Sequence, residues 1–270
     1  MPDLATLTFA GASFGIRRDD PRPAWFLFGV RKSGSSIMNA MGAALAGMNG
    51  VNYVDVAGKL FETGVAVPAW QRDPGMGALL AGGNLYGGFR NAPLAIAGHP
   101  LLRAGRAALL VRDPRDALVS EYFSNAYSHS VPAGGEARDL MLEQRATALR
   151  APVAEYVRRM APALRETLRE YRPFLGNPNL KLYRYESAII DKGAFLRDLC
   201  EHFGWTATDH QISLILGWAD VIPAEENPTR FVRKVVPGDH REKLDPATID
   251  ALDGILAEEL RLFGYAPHGA

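Results

Sequence analysis

An apolar run at residues 24–30 leads directly into a turn rich in glycine and serine, and a second apolar stretch follows that turn at residues 37–48. The first run predicts a strand buried on both faces, and the second predicts a helix packed in the core. A turn that joins such a strand to a helix presents free backbone N–H groups at the positive end of the helix dipole. The chain is therefore expected to fold around a strand, a phosphate-binding turn and a helix.

A second apolar strand runs into a charged turn and then a helix at residues 110–120, L-V-R-D-P-R-D-A-L-V-S. Arg112 ends this predicted strand, and an arginine can hold a phosphate group with two parallel hydrogen bonds. Ser120, in the first turns of the helix, can complete the contact. The other charged side chains of the turn are expected to cap the helix or form ion pairs (Asp113 and Asp116) or to stay in solvent (Arg115). Two phosphate-binding turns indicate a ligand with two separate phosphate groups.

Apolar runs and helical periodicity alternate along the chain. Central strands are predicted at residues 25–30, 94–97, 107–111 and 180–185, and helices at residues 153–174, 194–203 and 248–263. This alternation predicts an α/β fold, a single domain over residues 1–270 with its core at about 24–265, in which helices flank a central, mostly parallel sheet. Ligands bind beyond the carboxyl ends of the strands in sheets of this kind.

The first turn, F-G-V-R-K-S-G-S-S, differs from an ATP-binding P-loop in the position of its lysine. Gly29 and Gly34 keep the separation of that motif, but Ser35 stands where the P-loop has lysine, and Lys32 precedes the second glycine. A kinase or NTPase would lack its key cation here, whereas a phosphate cradle remains. Ser35 and Ser36 would donate hydroxyl and N–H groups, and Lys32 would supply positive charge where negative charge develops.

Together the two turns resemble those of the sulfotransferases that use 3′-phosphoadenosine 5′-phosphosulfate (PAPS). The family's 5′-phosphosulfate loop, K-S-G-T-T, is similar to residues 32–36, and its 3′-phosphate motif, R-[ND]-P-[KR]-D-x-x-V-S, matches residues 112–120 at every defined position. Residues 182–186 look like the family's Y-E segment, whose tyrosine contacts adenine. Residues 231–240 are similar to the R-K-G-x-x-G-D-W loop that closes over the 3′-phosphate. The chain departs from the family where Ile37 replaces a tryptophan, Val235 a glycine and His240 a tryptophan.

The resemblance implies a P-loop NTPase-like sulfotransferase fold. It also implies in-line transfer of a sulfuryl group from PAPS to an acceptor hydroxyl, which leaves 3′,5′-bisphosphoadenosine (PAP) and needs no metal. Lys32 would be the catalytic cation. The residues implied to bind PAPS lie in the matching segments: Arg31, Lys32, Ser33, Gly34, Ser35, Ser36, Arg112, Ser120, Tyr185, Arg233 and Lys234.

His99 is the first candidate for the base that takes the acceptor proton. It follows the strand predicted at residues 94–97, whose end would face the site, and residues 97–99 resemble the family's K-T-H segment with Ala97 in place of the lysine. Three other side chains stay open as alternatives: His129, Glu62 and Glu121. The histidines at 202, 210 and 240 are expected to be structural.

The acceptor is expected to be a carbohydrate or another alcohol. Residues 122–130, Y-F-S-N-A-Y-S-H-S, are rich in hydroxyl groups and follow the second phosphate turn closely. Long loops are predicted at residues 64–90 and 125–139, where functional segments are often found. The aromatic residues of the first loop either line the acceptor site or anchor the loop: Trp70, Tyr86 and Phe89.

Charge and hydropathy argue against two classes of partner. The 30 basic and 30 acidic residues give a net charge of zero, which does not support nucleic-acid binding. No stretch approaches the roughly 20 apolar residues that span a membrane, so we expect no membrane insertion and a cytoplasmic location. Two alternative functions stay open: a P-loop kinase or NTPase, and a non-catalytic nucleotide-binding protein of the same fold.

Overall fold

The computed structural model describes residues 4–269. Its strands are β1 (Ala5–Phe9), β2 (Ala12–Ile16), β3 (Trp25–Gly29), β4 (Asn52–Asp55), β5 (Asn84–Phe89), β6 (Arg106–Val111) and β7 (Leu180–Arg184). The first two form an antiparallel hairpin, and the other five form a parallel sheet in the order β4-β5-β3-β6-β7. Strands β3 and β6, which precede the two phosphate turns, are therefore neighbours. The strand order reverses between them, and a crevice at such a point is where open α/β sheets bind ligands.

Helices cover both faces of this sheet. They are α1 (Ser35–Met48), α2 (Val56–Glu62), α3 (Pro100–Ala104), α4 (Pro114–Phe123), α5 (Glu136–Arg150), α6 (Val153–Arg169), α7 (Arg172–Leu175), α8 (Tyr185–Ala188), α9 (Lys192–Phe203), α10 (Asp209–Ala219), α11 (Asp239–Lys243) and α12 (Pro246–Phe263). Within residues 4–269, none of them is both long and apolar enough to cross a membrane. This arrangement confirms the predicted α/β fold.

The central strand β3 is buried on both faces because its alternate side chains enter two separate cores. Phe26 and Phe28 pack with helices α6, α7 and α12, whereas Trp25 and Leu27 pack with α1, α9 and α10. The N-terminal hairpin adds Phe14 and other apolar side chains to the first of these cores.

Three of the four predicted strands are confirmed as β3, β6 and β7. The fourth is wrong, because residues 94–97 form a 3-10 turn, Leu94–Ile96, rather than a strand. Proline at position 93 starts this turn, and its carbonyl oxygen accepts a 3.0 Å hydrogen bond from the backbone N–H of Ile96. A short apolar run beside a proline can form either a strand or a turn, and here it forms the turn.

The predicted loop at residues 64–90 ends in a strand, β5, which lies inside the sheet between β4 and β3. Its aromatic residues belong to the core: Trp70, Tyr86 and Phe89 are each at most 3% exposed. The hydroxyl of Tyr86 donates a 2.8 Å hydrogen bond to the carbonyl of Leu79. The alternative in which these three residues line the acceptor site is therefore wrong, and they anchor the segment instead.

The other long loop is shorter than predicted. A π-helical turn, Ser124–Ser128, continues α4, and α5 begins at Glu136, which leaves residues 129–135 as the loop. The helix predicted at residues 153–174 ends at Arg169, and the short helix α7 follows it with Pro173 in its first turn, where a proline is well tolerated. The last two predicted helices are confirmed as α9 and α12.

Candidate functional site

The first phosphate turn leaves the amino end of α1 open. Ser33 closes the turn, since its hydroxyl donates a 2.6 Å hydrogen bond to the carbonyl of Val30. Gly34 then adopts a φ of 86°, and α1 begins at Ser35 with no side chain capping its first backbone N–H groups. These N–H groups lie at the positive end of a 14-residue helix, so the turn can bind an anion.

Gly34 also lies where a larger residue would not fit. A Cβ atom at this position would be 3.1 Å from Cδ2 of Tyr185 and 3.1 Å from Cγ1 of Ile189. Tyr185 is 5% exposed and begins α8, directly after β7. The predicted adenine-contacting tyrosine is thus packed against the phosphate turn.

Arg112 joins the two phosphate turns. It is 6% exposed, and its guanidinium lies 4.3 Å from the centre of the Tyr185 ring. One of its terminal nitrogens, Nη1, lies 3.5 Å from the carbonyl oxygen of Lys32, and the other, Nη2, lies 3.8 Å from a carboxylate oxygen of Asp116. The buried Nε of Arg112 has no hydrogen-bond partner within residues 4–269. A buried donor without a partner is costly, and an anionic ligand would relieve that cost.

Asp116 holds the C-terminal segment against the second turn. Its carboxylate accepts hydrogen bonds from the backbone N–H of Gly238 (2.7 Å), the backbone N–H of His240 (2.9 Å) and Nδ1 of His240 (2.6 Å). Burial alone would raise the pKa of Asp116, but the hydrogen bonds from His240 and the charge of Arg112 outweigh it and lower the pKa to about 2. His240 is thus a buried structural residue close to the second turn, and Asp116 forms the ion pair expected of it.

The C-terminal cations Arg233 and Lys234 face different surroundings. Arg233 is buried, lies 4.3 Å from the centre of the Phe123 ring and pairs with Glu226 and Asp239. Its charge contributes to lowering the pKa of Lys32, which places it close to the phosphate turn. Lys234 pairs with Asp239 at 3.2 Å and with Glu242 at 2.6 Å, and so is directed toward α11.

Lys32 is a half-buried cation at the centre of the site. Burial, together with the nearby charges of Arg112, Arg90 and Arg233, outweighs the opposing charge of Glu121 and lowers the pKa of Lys32 to about 8. Its backbone is in the left-handed region, with a φ of 63°. Such a conformation costs about 1 kcal/mol or more for a residue with a side chain and is common at functional sites. Lys32 therefore presents positive charge to a ligand at an energetic cost to the free protein.

Ser36 and Ser120 lie on the two helices that follow the phosphate turns, α1 and α4. Ser36 is half-buried in the first turn of α1, and its hydroxyl accepts a 3.0 Å hydrogen bond from Arg90. Ser120 is half-buried on α4. Arg31 is paired with Glu121, with 3.1 Å between Nε and Oε2. The structure thus brings the predicted phosphate-binding residues to one edge of the sheet.

His99 lies at the opposite edge of the sheet, which corrects its assignment as the base. It caps the short helix α3, where its Nδ1 accepts a 3.2 Å hydrogen bond from the backbone N–H of Leu101. Helix α3 ends just before β6 begins, whereas Arg112 follows the end of β6. All five strands are parallel, so the full length of β6, about 20 Å, separates His99 from the phosphate turns. The error follows from the strand wrongly predicted at residues 94–97.

Two of the alternative bases do lie near Lys32. His129 follows the π-turn and donates a 2.7 Å hydrogen bond from Nδ1 to the carbonyl of Ser130, which leaves Nε2 as the proton acceptor. Burial and the charges of Lys32, Arg90 and Arg145 lower the pKa of His129, so that its imidazole is neutral at pH 7. Glu121 is 4% exposed and is paired with Arg31.

The third alternative base, Glu62, is the last residue of α2. It is exposed at the end of α2, where the ring of the preceding Phe61 packs edge-on against His129 at 6.0 Å. Helix α2 thus forms one wall beside the imidazole.

Two residues at this edge were not anticipated from the sequence. Arg115, expected in solvent, is 2% exposed and pairs with Asp113 and Asp253, each at 2.7 Å. Its partner Asp253 is on α12, far away in sequence, so no local pattern signals this pair.

Arg90 lies directly after β5 and donates a hydrogen bond to Ser36, beside the first phosphate turn. The sequence does not mark β5 as a strand, and for that reason it does not indicate that Arg90 belongs to the site. No cluster of three or more potential metal ligands is found within residues 4–269.

No protein-family model matches the sequence, and no curated protein is significantly similar to it. Solved structures share its fold. The crystal structure of mouse sulfotransferase SULT7A1 complexed with PAP has a TM-score of 0.61 and 13% sequence identity, covering 95% of this chain and 94% of that one. A retinol dehydratase in complex with retinol and PAP has a TM-score of 0.49 and 14% identity, covering 90% and 82%. The likeness to the mouse structure shows that the chain has the sulfotransferase fold, as the resemblance implied.

Proposed function

We propose that this protein is a PAPS-dependent sulfotransferase. The observation that carries the proposal is the junction of the two phosphate turns, where Arg112 lies beside the carbonyl of Lys32 at the carboxyl ends of β3 and β6. A ligand with two phosphate groups would bind across this junction. The fold is also that of a sulfotransferase whose crystal structure contains PAP.

The residues present suit PAPS at both ends of the nucleotide. The open amino end of α1, with Ser33, Gly34, Ser35 and Ser36, would hold the 5′-phosphosulfate. The unpartnered Nε of Arg112 would bind the 3′-phosphate. Further candidates for nucleotide contacts come from the remaining segments: Arg31, Ser120, Tyr185, Arg233 and Lys234.

When bound, PAPS would supply the sulfuryl group and its 5′-phosphate leaving group. Lys32 would stabilise the negative charge that develops on the leaving oxygen, since it is protonated below a pKa of about 8. A base in place of His99 would accept the hydroxyl proton of the acceptor, and we propose Nε2 of His129 for this role, with Glu121 as the alternative. A neutral imidazole suits this task, because only the unprotonated ring can take a proton.

The acceptor would be a carbohydrate or another polar alcohol. His129 belongs to the hydroxyl-rich segment at residues 122–130, and Tyr127 of the same segment is 46% exposed. An exposed tyrosine beside a neutral histidine can both stack on a sugar ring and hydrogen-bond to its hydroxyls. A cytoplasmic location stays a prediction.

Calorimetric binding tests this function directly. PAP and AMP would each be titrated into the protein in EDTA, and Mg·ATP in a separate magnesium buffer. We expect micromolar binding of PAP and at least about tenfold weaker binding of AMP, which lacks the 3′-phosphate that Arg112 would contact. A preference for Mg·ATP would support a kinase or NTPase instead, and no nucleotide binding at all would refute the proposal.

A further inference from the structure

Arg145 of α5 contacts the segment that carries the proposed base, and no motif in the sequence marks it. Its Nη2 donates a 2.6 Å hydrogen bond to the carbonyl of His129, and its Nε donates a 3.3 Å hydrogen bond to the carbonyl of Asn125. The side chain is half-buried, and within residues 4–269 it forms no ion pair with a carboxylate. Its charge lies at the carboxyl end of α4 and of the π-helical turn that continues it, where a cation is favourable.

The π-helical turn explains why a side chain is needed at this place. In a regular α-helix the backbone N–H of His129 would donate to the carbonyl of Asn125, four residues earlier. Here it donates a 2.8 Å hydrogen bond to the carbonyl of Ser124, five residues earlier. The extra residue deprives the carbonyl of Asn125 of its α-helical donor, and Arg145 supplies a donor from a neighbouring helix. Turns of this kind are frequent at functional sites.

The loop that begins with His129 is held at its other end as well. Residues 129–135 lead into α5, and the backbone N–H of Ala137 donates a 3.1 Å hydrogen bond to the carbonyl of Gly64, just beyond α2. Gly64 has a φ of 81°, and a Cβ atom there would overlap the carbonyl oxygen of Gly134. The two backbones therefore touch, which only glycine permits. The loop is thus fixed to the end of α2, while its first residue is fixed to α5.

The imidazole of His129 is restricted by three groups. The ring of Phe61 packs edge-on against it at 6.0 Å, the carbonyl of Ser130 accepts a 2.7 Å hydrogen bond from its Nδ1, and Arg145 holds its main-chain carbonyl. A catalytic group displaced by about 1 Å can lose roughly a hundredfold in rate. We propose that Arg145 is a positioning residue, which holds His129 in the geometry for taking the proton of the acceptor. This inference rests on the proposed function.

The first measurement follows His129 in the protein without ligand. Imidazole ¹³C and ¹⁵N chemical shifts report its tautomer and its pKa, and His129→Gln identifies its signals. The wild type is compared with Arg145→Gln, Arg145→Lys and Arg150→Gln. Arg150 is an exposed arginine at the end of the same helix and serves as the matched control. Circular dichroism checks that each variant is folded.

We expect Arg145→Gln to mix the two tautomers of His129, because the loop can then move away from its present geometry. The pKa of His129 should also rise, since one of the three positive charges that lower it is removed and only Lys32 and Arg90 remain. Arg145→Lys keeps the charge with a single donor group, so it should restore part of both properties. Arg150→Gln should match the wild type.

The second measurement is PAP release from PAPS, with the sugar or simple alcohol that the wild type sulfates fastest. Arg145→Gln should lower kcat by about tenfold and change PAP affinity by less than about twofold. Combined with His129→Gln, it should cause no further loss, because a positioning residue acts only through the base.

Two outcomes would overturn the assignment of Arg145 and leave the proposed function intact. One is an unchanged tautomer and pKa of His129 in Arg145→Gln. The other is a loss of kcat that adds to the loss in His129→Gln, which would mean that Arg145 supports only the fold. A wild type that neither binds PAP nor transfers the sulfuryl group would refute the function and this inference together.

Discussion

The carboxylate of Asp116 accepts a 2.6 Å hydrogen bond from Nδ1 of His240, and the two side chains are 1% and 2% exposed. Asp116 also lies 3.8 Å from Arg112, so one carboxylate contacts both the arginine of the second phosphate turn and the C-terminal segment. This segment carries Arg233 toward the site. The aspartate therefore orients the cations of the site rather than contacting a ligand itself.

Replacing Asp116 with asparagine should weaken both the fold and the nucleotide site. The pKa of Asp116 is lowered from 3.8 to about 2, which corresponds to roughly 2 kcal/mol of stability at pH 7. Because the folded-state pKa is lowered, this stabilisation is present above pH 4 and is lost as the pH falls through about 2. Urea unfolding at pH 7 and at pH 3 should show a smaller difference between variant and wild type at the lower pH.

Asp250, an exposed residue of α12, offers the matched control. Asp250→Asn should change neither the unfolding free energy nor PAP affinity, whereas Asp116→Asn should reduce PAP affinity by about tenfold. An Asp116→Asn protein as stable as the wild type at pH 7 would contradict the proposed role of this carboxylate.

Replacing Lys32 with methionine should stabilise the free protein while abolishing transfer. The lowered pKa of Lys32 shows that its charge is held at a cost, and that cost is present at any pH below about 8. Removing the charge should raise Tm by a few degrees at pH 7. Scanning calorimetry of Lys32→Met beside Lys59→Met, an exposed lysine of α2, measures this difference. A Tm below that of the control would show that Lys32 supports the fold instead.

Replacing Gly34 with alanine should impair nucleotide binding more than folding. The new Cβ would meet Tyr185 and Ile189 at 3.1 Å, and the φ of 86° is unfavourable for alanine by about 1 kcal/mol. The turn would shift to relieve both, which would misplace the free N–H groups of α1. We expect PAP affinity to fall by about tenfold or more in calorimetric titrations. Unchanged affinity would mean that the turn does not approach the ligand.

The sequence predicts those parts of the structure that depend only on residues close together in the chain. The uncapped turn before Ser35 and the turn after Val111 follow from short patterns of apolar and turn residues, and both were predicted with their strands. The caps of α12 are equally local, since Asp245 accepts a 2.7 Å hydrogen bond from the backbone N–H of Thr248 and Gly264 adopts a φ of 74°.

The sequence was least informative where a strand departs from regular geometry. Strand β5 contains a bulge at Gly87-Gly88, where its register with β3 shifts by one residue. The glycines make this strand resemble a loop in sequence, and no local pattern marks Arg90, which follows it, as part of the site. An apolar run near Pro93 resembled a strand, and His99 was consequently placed at the wrong edge. The pairs of Arg115 with Asp253 and of Asp116 with His240 join residues more than 100 positions apart, and a single sequence holds no local signal for them.

Two histidines provide the sharpest test of the catalytic assignment, because both were candidates and only one lies at the site. His129→Gln should lower the rate of sulfuryl transfer by about a hundredfold or more without changing PAP affinity, since a base acts on the acceptor rather than on the nucleotide. His99→Gln should leave transfer unchanged and reduce only the unfolding free energy, by about 1 kcal/mol, through the loss of the α3 cap. The measurement is PAP release from PAPS with a panel of sugars and simple alcohols.

The pH dependence of the same reaction adds an independent readout. The pKa of His129 is lowered from its ordinary value of 6.5, so the wild-type rate should stay high at pH 7 and fall only as the imidazole becomes protonated at lower pH. The rate should fall again as Lys32 loses its proton above a pKa of about 8. In His129→Gln the decline on the acid side should disappear while the decline on the alkaline side remains. An acid-side decline that survives in this variant would contradict the assignment of His129 as the base.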